Sequence, residues 1–412
     1  MNQVIVIGGG AAGVMGAIRA KTVYPNLDIT ILEAAKKPLG KVKISGGGRC
    51  NVTHGCFDLH RLVEFYPRGQ KALKSVFSRF GPQETIQWFE SHGVALKTEP
   101  DGRMFPVTDE SQTIIDCLLK EARRLDISIK TQCPVEAIIK TADGFNIQTN
   151  QGNFEAAAIL LSPGGNLKAY GWLSQLGHTL ISPAPSLFTF NVKNPLLNDL
   201  AGTSFLNVKA KLLIPDSKPI LQEGPLLVTH WGLSGPVILR LSAWAARELY
   251  HAHYQAMLIV DFLPTVTDEK MMQTFHTLKE TDARKQLGSV VPFDLTRRFW
   301  IQLLKTVAIP ENTLWTYLSK PQIHQLCESL KRTVFEVSGK GPFKEEFVTA
   351  GGVDLKEVDF KTMQSRLVPG LFFAGEILDI DGLTGGFNFQ NAWSTGWIAG
   401  EALAKSVDTL LS

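Results

Sequence analysis

The chain begins with a short apolar run, a glycine-rich turn and a stretch of small residues. Residues 4–7 (Val-Ile-Val-Ile) are β-branched, Gly8–Gly10 follow, and Ala11–Ala20 contains no proline. A second apolar run, Leu27–Leu32, ends at Glu33. Continuous apolar runs of this length are typical of buried strands, and the stretch between them is typical of a closely packed helix. The pattern predicts a strand–helix–strand unit in a parallel sheet.

The same succession of strand-like apolar runs and helix-like stretches continues to Leu161 and resumes near Phe347. The segment between them has a different pattern. We predict helices at Gln70–Phe80, Pro82–His92, Thr113–Leu125 and Gln390–Ala404, and strands at Ile127–Lys130, Phe145–Thr149, Ala156–Leu161 and Gly370–Phe373. Residues Gly40–Thr53, rich in Gly and Lys, are predicted to form a loop. The β-like runs Leu187–Val192 and Val208–Ile214, followed by helical patterns between Thr267 and Arg332, indicate an insertion with a β part and a helical part.

The spacing Gly8-x-Gly10-x-x-Gly13 lies between the first predicted strand and helix, and Glu33 ends the second strand. In such a turn the first glycine permits the tight bend, the second lets the backbone approach a pyrophosphate, and the third lets the helix pack on the strand. The helix N-terminus attracts phosphate, and the acid accepts hydrogen bonds from an adenosine ribose. A dinucleotide-binding turn is therefore predicted, of a kind shared by FAD and NAD proteins.

The C-terminal segment favours FAD. Residues 371–376 (Leu-Phe-Phe-Ala-Gly-Glu) predict a strand that ends in Gly and an acid, and Gly382, Gly385 and Gly386 precede a helix. Returned to the first sheet, this segment would place an acid beside the ribityl chain and a helix N-terminus beside the flavin pyrimidine, where a positive dipole favours the anionic reduced flavin. No second dinucleotide turn is found, so NAD(P)H is expected to act as a transient electron donor.

Four segments resemble the HI0933-like, or BaiN-like, family of bacterial NAD(P)/FAD-dependent oxidoreductases: Lys43–Thr53, Thr229–Pro236, Thr349–Val353 and Gly375–Asn388. The resemblance implies an α/β fold, with a Rossmann-like FAD domain of the two-dinucleotide-binding type carrying inserted β-barrel-like and helical subdomains. We expect the FAD domain at residues 1–187 and 347–412, the barrel-like insert at 188–264 and 333–346, and the helical insert at 265–332.

The residues expected to bind FAD come from the motifs and from this resemblance, and no metal site is expected. They are Gly8, Gly10, Ala11, Ala12, Gly13, Glu33, Ala34, Lys41, Gly46, Gly47, Gly48, Arg49, Cys50, Asn51, Val135, Gly164, Gly165, Gly375, Glu376, Asp381, Gly385, Gly386, Phe387 and Asn388.

The run Ser45–Asn51 is too rich in glycine for a regular element and offers successive backbone N–H donors for a phosphate or a flavin edge, to which Arg49 would add a charge-assisted contact. Cys50 is a candidate proton donor, with a packed structural cysteine as the alternative. Five residues separate it from Cys56, one more than in the disulfide reductases, which disfavours a redox disulfide. His230, in a glycine-rich turn, is the second catalytic candidate, or else an ordinary hydrogen-bonded histidine.

Composition excludes several classes of protein. With 412 residues, 44% of them hydrophobic and 20% charged, the chain is expected to fold into two or three units. Five cysteines without a CxxC pair disfavour disulfides and structural zinc and favour a reducing cytoplasm. The N-terminal apolar run is interrupted by glycine too soon for a signal peptide or membrane span, so no membrane is expected as a partner. No GxSxG, HExxH or Walker A motif supports hydrolysis or phosphoryl transfer.

Positive charge is concentrated near the N-terminus. The formal net charge is +3, whereas residues 36–80 hold ten Lys and Arg against Asp58 and Glu64. Five aromatic residues are interleaved with these cations: Phe57, Phe65, Tyr66, Phe77 and Phe80. Such a segment could hold RNA by its phosphates, with the aromatic rings stacking on bases. The alternative is a solvated helix face whose aromatic residues belong to the core.

The resemblance implies that some relatives are dihydrouridine synthases acting on 23S ribosomal RNA. Together with the basic segment, this favours an FAD-dependent reductase that converts uridine in 23S ribosomal RNA to 5,6-dihydrouridine with electrons from NAD(P)H. The alternatives left open are a flavin-dependent reductase or oxidase of a small molecule, a non-catalytic RNA-binding flavoprotein and a flavin redox sensor. The oligomeric state is not predicted.

Overall fold

The computed structural model describes residues 3–341 and 348–411. The chain divides into two compact units, one formed by residues 1–184 with 348–412 and the other by residues 185–347. The first unit is therefore discontinuous in sequence. The finer division at residues 187 and 347, with separate barrel and helical inserts, stays a prediction, and its residues 342–347 lie outside the described residues.

The strands, in chain order, are β1 Gln3–Ile7, β2 Asp28–Leu32, β3 Thr53–His54, β4 Leu96–Thr98, β5 Arg103–Pro106, β6 Ser128–Lys130, β7 Val135–Lys140, β8 Phe145–Thr149, β9 Gly152–Ala156, β10 Ala158–Leu161, β11 Leu180–Ser186, β12 Phe190–Val192, β13 Ser204–Leu213, β14 Ile220–Thr229, β15 Gly232–Ser234, β16 Ala256–Asp261, β17 Thr333–Lys340, β18 Val348–Val353, β19 Val358–Asp359, β20 Gln364–Ser365 and β21 Leu371–Phe373.

The α-helices are α1 Ala11–Val23, α2 Gly40–Ile44, α3 Leu59–Glu64, α4 Gln70–Phe77, α5 Pro82–Ser91, α6 Ser111–Arg124, α7 Lys168–Gln175, α8 Pro236–Trp244, α9 Ala246–His251, α10 Asp268–Thr281, α11 Arg297–Thr306, α12 Lys320–Lys331 and α13 Phe387–Leu411.

The first unit is built on a seven-stranded sheet in the order β19–β20–β21–β10–β1–β2–β6. β1 pairs in parallel with β2 and β10, and β10 pairs in parallel with β21. The last four positions of β1 are buried, as expected for a parallel strand covered on both faces. The predicted α/β fold is confirmed. The carboxyl ends of the parallel strands meet at one edge of the sheet, at Ile7, Leu32, Leu161 and Phe373. Sheets of this type bind ligands at that edge.

Helices α1 and α13 bring the two ends of the chain together through glycine. A Cβ atom at Gly400 would lie 2.1 Å from the carbonyl oxygen of Gly16, and one at Gly396 would lie 2.3 Å from that of Ala12. Both distances are far below van der Waals contact, so only glycine allows the two helix backbones to approach this closely. This packing fixes the C-terminal helix against the helix that follows the N-terminal turn.

We expect Gly400→Ala to destabilise the protein by about 1–3 kcal/mol, the usual cost of overpacking a buried contact. The matched control is Gly171→Ala in α7, where an added Cβ meets nothing within 4 Å. Alanine should there be neutral or stabilising by up to about 1 kcal/mol, because it is the better helix former. Urea unfolding of both variants measures the difference. Equal unfolding midpoints would contradict the assigned packing of α1 on α13.

The prediction that residues 40–53 form a continuous loop was wrong. Residues 40–44 form α2, and Ser45–Gly48 form a 3₁₀ turn. Val42 is buried, and Ser111 Oγ donates to the carbonyl of Lys43 at 2.8 Å, so the segment is held against α6. Glycine content alone could not reveal this anchoring contact.

The second unit contains a closed antiparallel barrel in the order β12–β15–β14–β13–β16–β17. Helices α8 to α12 also belong to this unit, and its core joins barrel and helical residues in one apolar cluster. Trp300 and Trp315 stack with ring centroids 6.4 Å apart, and both are fully buried. The predicted barrel-like part is present as a six-stranded barrel.

Candidate functional site

The N-terminal turn after β1 has the geometry that its glycines predict. Gly8 has φ +104° and donates its N–H to Leu32 O at 2.9 Å. A Cβ atom at Gly13 would lie 2.1 Å from Gly8 O and 2.6 Å from Ser162 Oγ. Gly10 precedes α1 and no side chain caps the helix, so the first-turn N–H groups of Ala11, Ala12 and Gly13 lack intrahelical partners.

This helix end fits a dinucleotide phosphate. A Cβ at Gly10 would meet nothing within 4 Å, so there is open space in front of the turn. Uncapped N–H groups and the helix dipole together attract an anion.

Glu33 lies beside this turn. Its Oε2 accepts from Gly9 N–H at 2.8 Å and its Oε1 from Ala35 N–H at 2.7 Å. Cys133 N–H donates to Glu33 O at 2.9 Å, which brings the start of β7, with buried Val135, to the same edge. Ala34 is exposed next to it. Each carboxylate oxygen has further lone pairs, so Glu33 can still accept from a ribose hydroxyl.

The second predicted turn and the C-terminal acid also meet. Gly164 has φ +65°, and a Cβ placed there would lie 3.5 Å from Glu376 Oε2. Glu376 Oε1 accepts from Thr349 N–H at 3.0 Å, and Oε2 pairs with Lys41 Nζ at 2.5 Å. A Cβ at Gly165 would lie 2.7 Å from Thr349 Oγ1.

Gly375 connects the cluster of Gly164, Gly165, Lys41 and Glu376 to the N-terminal turn. A Cβ added there would lie 3.0 Å from Ala12 Cβ, and Gly375 N–H donates to Thr395 Oγ1 of α13 at 2.9 Å. The structure therefore brings the start of α1, the Gly164–Gly165 turn, Lys41 and Glu376 to one place.

The loop between β21 and α13 is closed on itself. Asn388 Oδ1 accepts from Gly382 N–H, and its Nδ2 donates to Gly382 O, both at 2.8 Å. Gly385 and Gly386 have φ +133° and +91°, and a Cβ at Gly386 would lie 2.5 Å from Thr53 O. The loop thus fixes the N-terminus of α13, which begins at Phe387.

Asp381, predicted to bind the cofactor, has a partner within the protein, and its cofactor contact stays a prediction. Its side chain is fully buried, and Arg68 donates to both of its carboxylate oxygens through Nε and Nη2. Sequence reasoning counted Arg68 only as one of the surface cations, because its partner lies 313 residues away. The pair joins the segment before α4 to the C-terminal loop.

Arg49 and Asn51 of the 45–51 segment also have partners within the protein, and their cofactor contacts stay predictions. Arg49 Nη1 pairs with Glu99 at 2.7 Å and stacks over Phe105, with 3.9 Å from Cζ to the ring centroid. The Asn51 amide accepts from Gly386 N–H at 2.9 Å and donates to Thr53 O at 3.0 Å. The Asn51 side chain therefore supports the C-terminal loop by accepting a hydrogen bond from the backbone of Gly386.

Glycines 46 to 48 have φ values of +57°, +69° and +85°, which explains why glycine is used there. A Cβ at Gly47 or Gly48 would meet nothing within 4 Å, and both residues are exposed. This run keeps an open backbone surface next to α2.

Cys50 is a buried thiol with φ +59° and no exposed surface. Burial raises the pKa of Cys50 to about 12, against a weaker lowering effect of Ser45. The thiol is therefore protonated at neutral pH, and its predicted catalytic role stays a prediction. Both Cys50 and Cys56 are free cysteines.

We expect alkylation of the native protein at pH 8 to modify the half-buried Cys56 and to spare Cys50, because the thiolate is the reacting form and Cys50 is both protonated and inaccessible. Peptide mass spectrometry after iodoacetamide treatment measures this. Denatured protein, in which both thiols react, is the control. Labelling of Cys50 at the rate of Cys56 would contradict its burial.

His54 was missed by sequence reasoning. Its ring stacks on Phe387 with centroids 4.7 Å apart, and Nε2 lies 3.1 Å from Asp101 O. Burial lowers the pKa of His54, so the imidazole is neutral at pH 7. No motif marks this position, because its stacking partner Phe387 is distant in sequence. His230 is exposed in the turn between β14 and β15 of the second unit, and its catalytic role remains a prediction.

The interleaved aromatic residues are mainly core residues. Tyr66, Phe77 and Phe80 are buried, and Phe65 stacks on Phe387 with centroids 4.3 Å apart. Phe57, in contrast, is 60% exposed. The idea that these rings stack on RNA bases is therefore wrong for Tyr66, Phe77 and Phe80.

The chain is similar to known proteins over almost its whole length. A model of the HI0933-like protein Rossmann domain matches residues 2–402. The chain belongs to this family. The 3-dehydro-bile acid delta(4,6)-reductase of Clostridium scindens is 30% identical to this chain over 98% of this chain and 100% of the relative. The ribosomal RNA dihydrouridine synthase of Escherichia coli is 28% identical over 98% of each chain.

Solved structures share the fold at low identity. The 3-ketosteroid-delta4-(5alpha)-dehydrogenase of Rhodococcus jostii superposes with a TM-score of 0.51 at 14% identity, covering 97% of this chain and 96% of that one. A flavocytochrome c3 fumarate reductase gives 0.51 at 16% identity, covering 98% and 78%. Fold and family are those of FAD-dependent oxidoreductases, and the protein is an enzyme of this class. Within residues 3–341 and 348–411, no helix is both long and apolar enough to cross a membrane.

Proposed function

We propose that the protein reduces uridine in 23S ribosomal RNA to 5,6-dihydrouridine with electrons from NAD(P)H, in the cytoplasm. The observation that carries the proposal is similarity over 98% of the chain to the ribosomal RNA dihydrouridine synthase of Escherichia coli. The synthase of Haemophilus influenzae, 26% identical over 98% of this chain, supports the same choice. Lys41, Arg49 and Arg68 pair with acids elsewhere in the chain, and the other seven cations of residues 36–80 still outnumber Asp58 and Glu64, an excess of the kind that an RNA substrate requires.

The residues at the carboxyl strand ends would hold FAD, which supplies hydride transfer between NAD(P)H and the substrate. The N–H groups at the start of α1 would bind the pyrophosphate, and Glu33 would accept from the adenosine ribose. Glu376, held by Thr349 N–H and Lys41, would accept from the ribityl chain. The N-terminus of α13, fixed by Asn388 and Asn51, would favour negative charge on the reduced pyrimidine ring.

The overall reaction consumes one NAD(P)H, one proton and one uridine, and it yields NAD(P)⁺ and dihydrouridine. The hydride adds to C6, which is conjugated to the C4 carbonyl, and the proton adds to C5. The target base must leave its stack to reach the site, which costs a few kcal/mol and favours a loop or an unpaired region of the RNA. A protein surface that holds the flanking phosphates would offset this cost.

A small-molecule substrate is the second candidate, and one observation favours it. The bile acid reductase of Clostridium scindens is 30% identical to this chain over its whole length. The two double bonds in that enzyme's name are conjugated to a 3-oxo group, as the C5–C6 bond of uridine is to the C4 carbonyl, so both substrates can take a hydride at a carbon conjugated to a carbonyl. The same site chemistry would therefore serve either substrate, and only the approach to the site would differ.

Deleting the gene and mapping dihydrouridine in 23S ribosomal RNA by mass spectrometry tests the proposal. We expect one dihydrouridine to disappear and to return on complementation. In vitro, the FAD-loaded protein with NADPH or NADH should modify unmodified 23S ribosomal RNA and leave a conjugated 3-oxo steroid unchanged. If the deletion strain keeps every dihydrouridine of its 23S ribosomal RNA and the purified protein reduces the steroid, the small-molecule proposal replaces the RNA proposal.

A further inference from the structure

Helix α4 presents one apolar and one cationic face. Leu73, Val76 and Phe77 are buried in the first unit. Lys71, Lys74, Ser75 and Ser78, at positions i, i+3, i+4 and i+7, are exposed and share the opposite face. Ser75 and Ser78, which follow Lys74 on this face, have short side chains and leave room around the ammonium groups.

The cations of this face are not neutralised by neighbouring acids. The sequence contains no Asp or Glu between Glu64 and Glu84. Arg79, just after the helix, donates to the carbonyl of Lys361, so the exposed Lys361 joins the same surface. Among the residues that the structure describes, none of Lys71, Lys74, Arg79 and Lys361 forms an ion pair. The nearby Asp359 is within 3.8 Å of Arg366, which reduces its effect on this surface.

The start of α4 is fixed to the loop that precedes α13. Arg68 pairs with the buried Asp381, and a Cβ at Gly69 would lie only 2.6 Å from Ile380 Cγ1. Tyr66 OH donates to Phe387 O at 2.7 Å. Three consecutive contacts thus join residues 66–69 to residues 380–387. The cationic face is therefore attached to the segment that would carry the flavin pyrimidine.

We propose that the cationic face of α4, formed by Lys71 and Lys74 with Arg79 and Lys361, binds the phosphodiester backbone of the RNA whose uridine is reduced. The inference rests on the proposed function and adds the surface that holds the substrate. Lysines spaced one helical turn apart neutralise successive phosphates and release their counterions, whatever the base sequence. The exposed positions of α4 carry no large apolar residue for insertion into a lipid surface, which favours RNA over a membrane.

The test compares the wild-type holoenzyme with Lys71→Gln/Lys74→Gln. The matched control is Lys120→Gln/Arg123→Gln, which removes two exposed cations with the same spacing from α6 of the same unit. Binding to an unmodified fragment of 23S ribosomal RNA is measured as a function of salt, together with flavin content and NAD(P)H oxidation with an artificial acceptor. Liposomes with an anionic lipid are assayed in parallel.

For the α4 variant we expect about tenfold weaker RNA binding and a salt slope lower by about one for each lysine removed. Flavin content and artificial-acceptor activity should equal those of wild type, and the α6 variant should bind RNA normally. If wild type modifies the RNA and the α4 variant retains its affinity and slope, the surface assignment is overturned and the proposed function stands. If wild type neither binds nor modifies RNA, or if α4 contributes only to liposome binding, the inference is overturned, and in the first case the proposed function fails with it.

Discussion

Replacing Gly13 with alanine is expected to yield protein that has lost most of its bound flavin. The added Cβ would lie 2.1 Å from Gly8 O, 2.6 Å from Ser162 Oγ and 3.1 Å from Val6 Cγ1. Two of these atoms belong to the turn and strand that set the direction of α1, so the helix start must move away from the turn. If about 1–3 kcal/mol of such strain is relieved in the flavin-free state and returns on binding, FAD affinity falls by about 5- to 150-fold.

A second variant separates strain within the protein from contact with the cofactor. An added Cβ at Gly10 meets no protein atom within 4 Å, so Gly10→Ala should leave the stability of the flavin-free protein unchanged. Its FAD affinity should nevertheless fall, because the methyl group would occupy the space of the pyrophosphate. Fluorescence titration with FAD and thermal unfolding of the flavin-free proteins measure both quantities. Wild-type FAD affinity in both variants would place the dinucleotide elsewhere.

The second large effect is expected at Asp381. Replacing it with asparagine leaves the Arg68 guanidinium, whose side chain is 11% exposed, without its buried counter-charge. Removing one partner of a buried ion pair typically costs about 3–5 kcal/mol. We therefore expect Asp381→Asn to lower the free energy of unfolding by that amount and to weaken FAD binding, because the loop before α13 loses its anchor.

A double variant provides the control for this prediction. Arg68→Met/Asp381→Leu removes both charges together, and apolar replacement of a buried pair is often neutral or stabilising. The double variant should therefore be more stable than Asp381→Asn in urea unfolding. If Asp381→Asn matches wild type in unfolding midpoint and flavin content, the pair does not anchor the loop.

Local features of the dinucleotide site could be predicted from sequence. The order of strand, glycines and helix in the first residues predicts the turn. Each glycine is needed for a backbone angle or a close contact that involves residues near it in sequence. Glu33 follows from the same unit, since strand β2 places it beside Gly9. The return of Glu376 to this edge required the further assumption that the chain ends meet, which the packing of Gly396 and Gly400 on α1 explains.

Side-chain partners that are distant in sequence could not be predicted. Asp381 and Arg49 carry charges that sequence patterns assign to a ligand, yet their nearest partners are Arg68 and Glu99 of the same chain. Cys50 stands in a glycine-rich run typical of an exposed loop, and its burial depends on packing that the run does not encode. The aromatic residues near α4 were ambiguous for the same reason, since alternation with lysine fits either a binding surface or an amphipathic helix.

We expect the N-terminal turn and the C-terminal loop together to hold one FAD per chain. Purification without added cofactor, followed by denaturation and quantification of the released flavin by absorbance and mass spectrometry, measures this. We predict yellow protein that releases FAD in a ratio approaching one per chain. A colourless protein that also fails to bind added FAD in a fluorescence titration would contradict the claim.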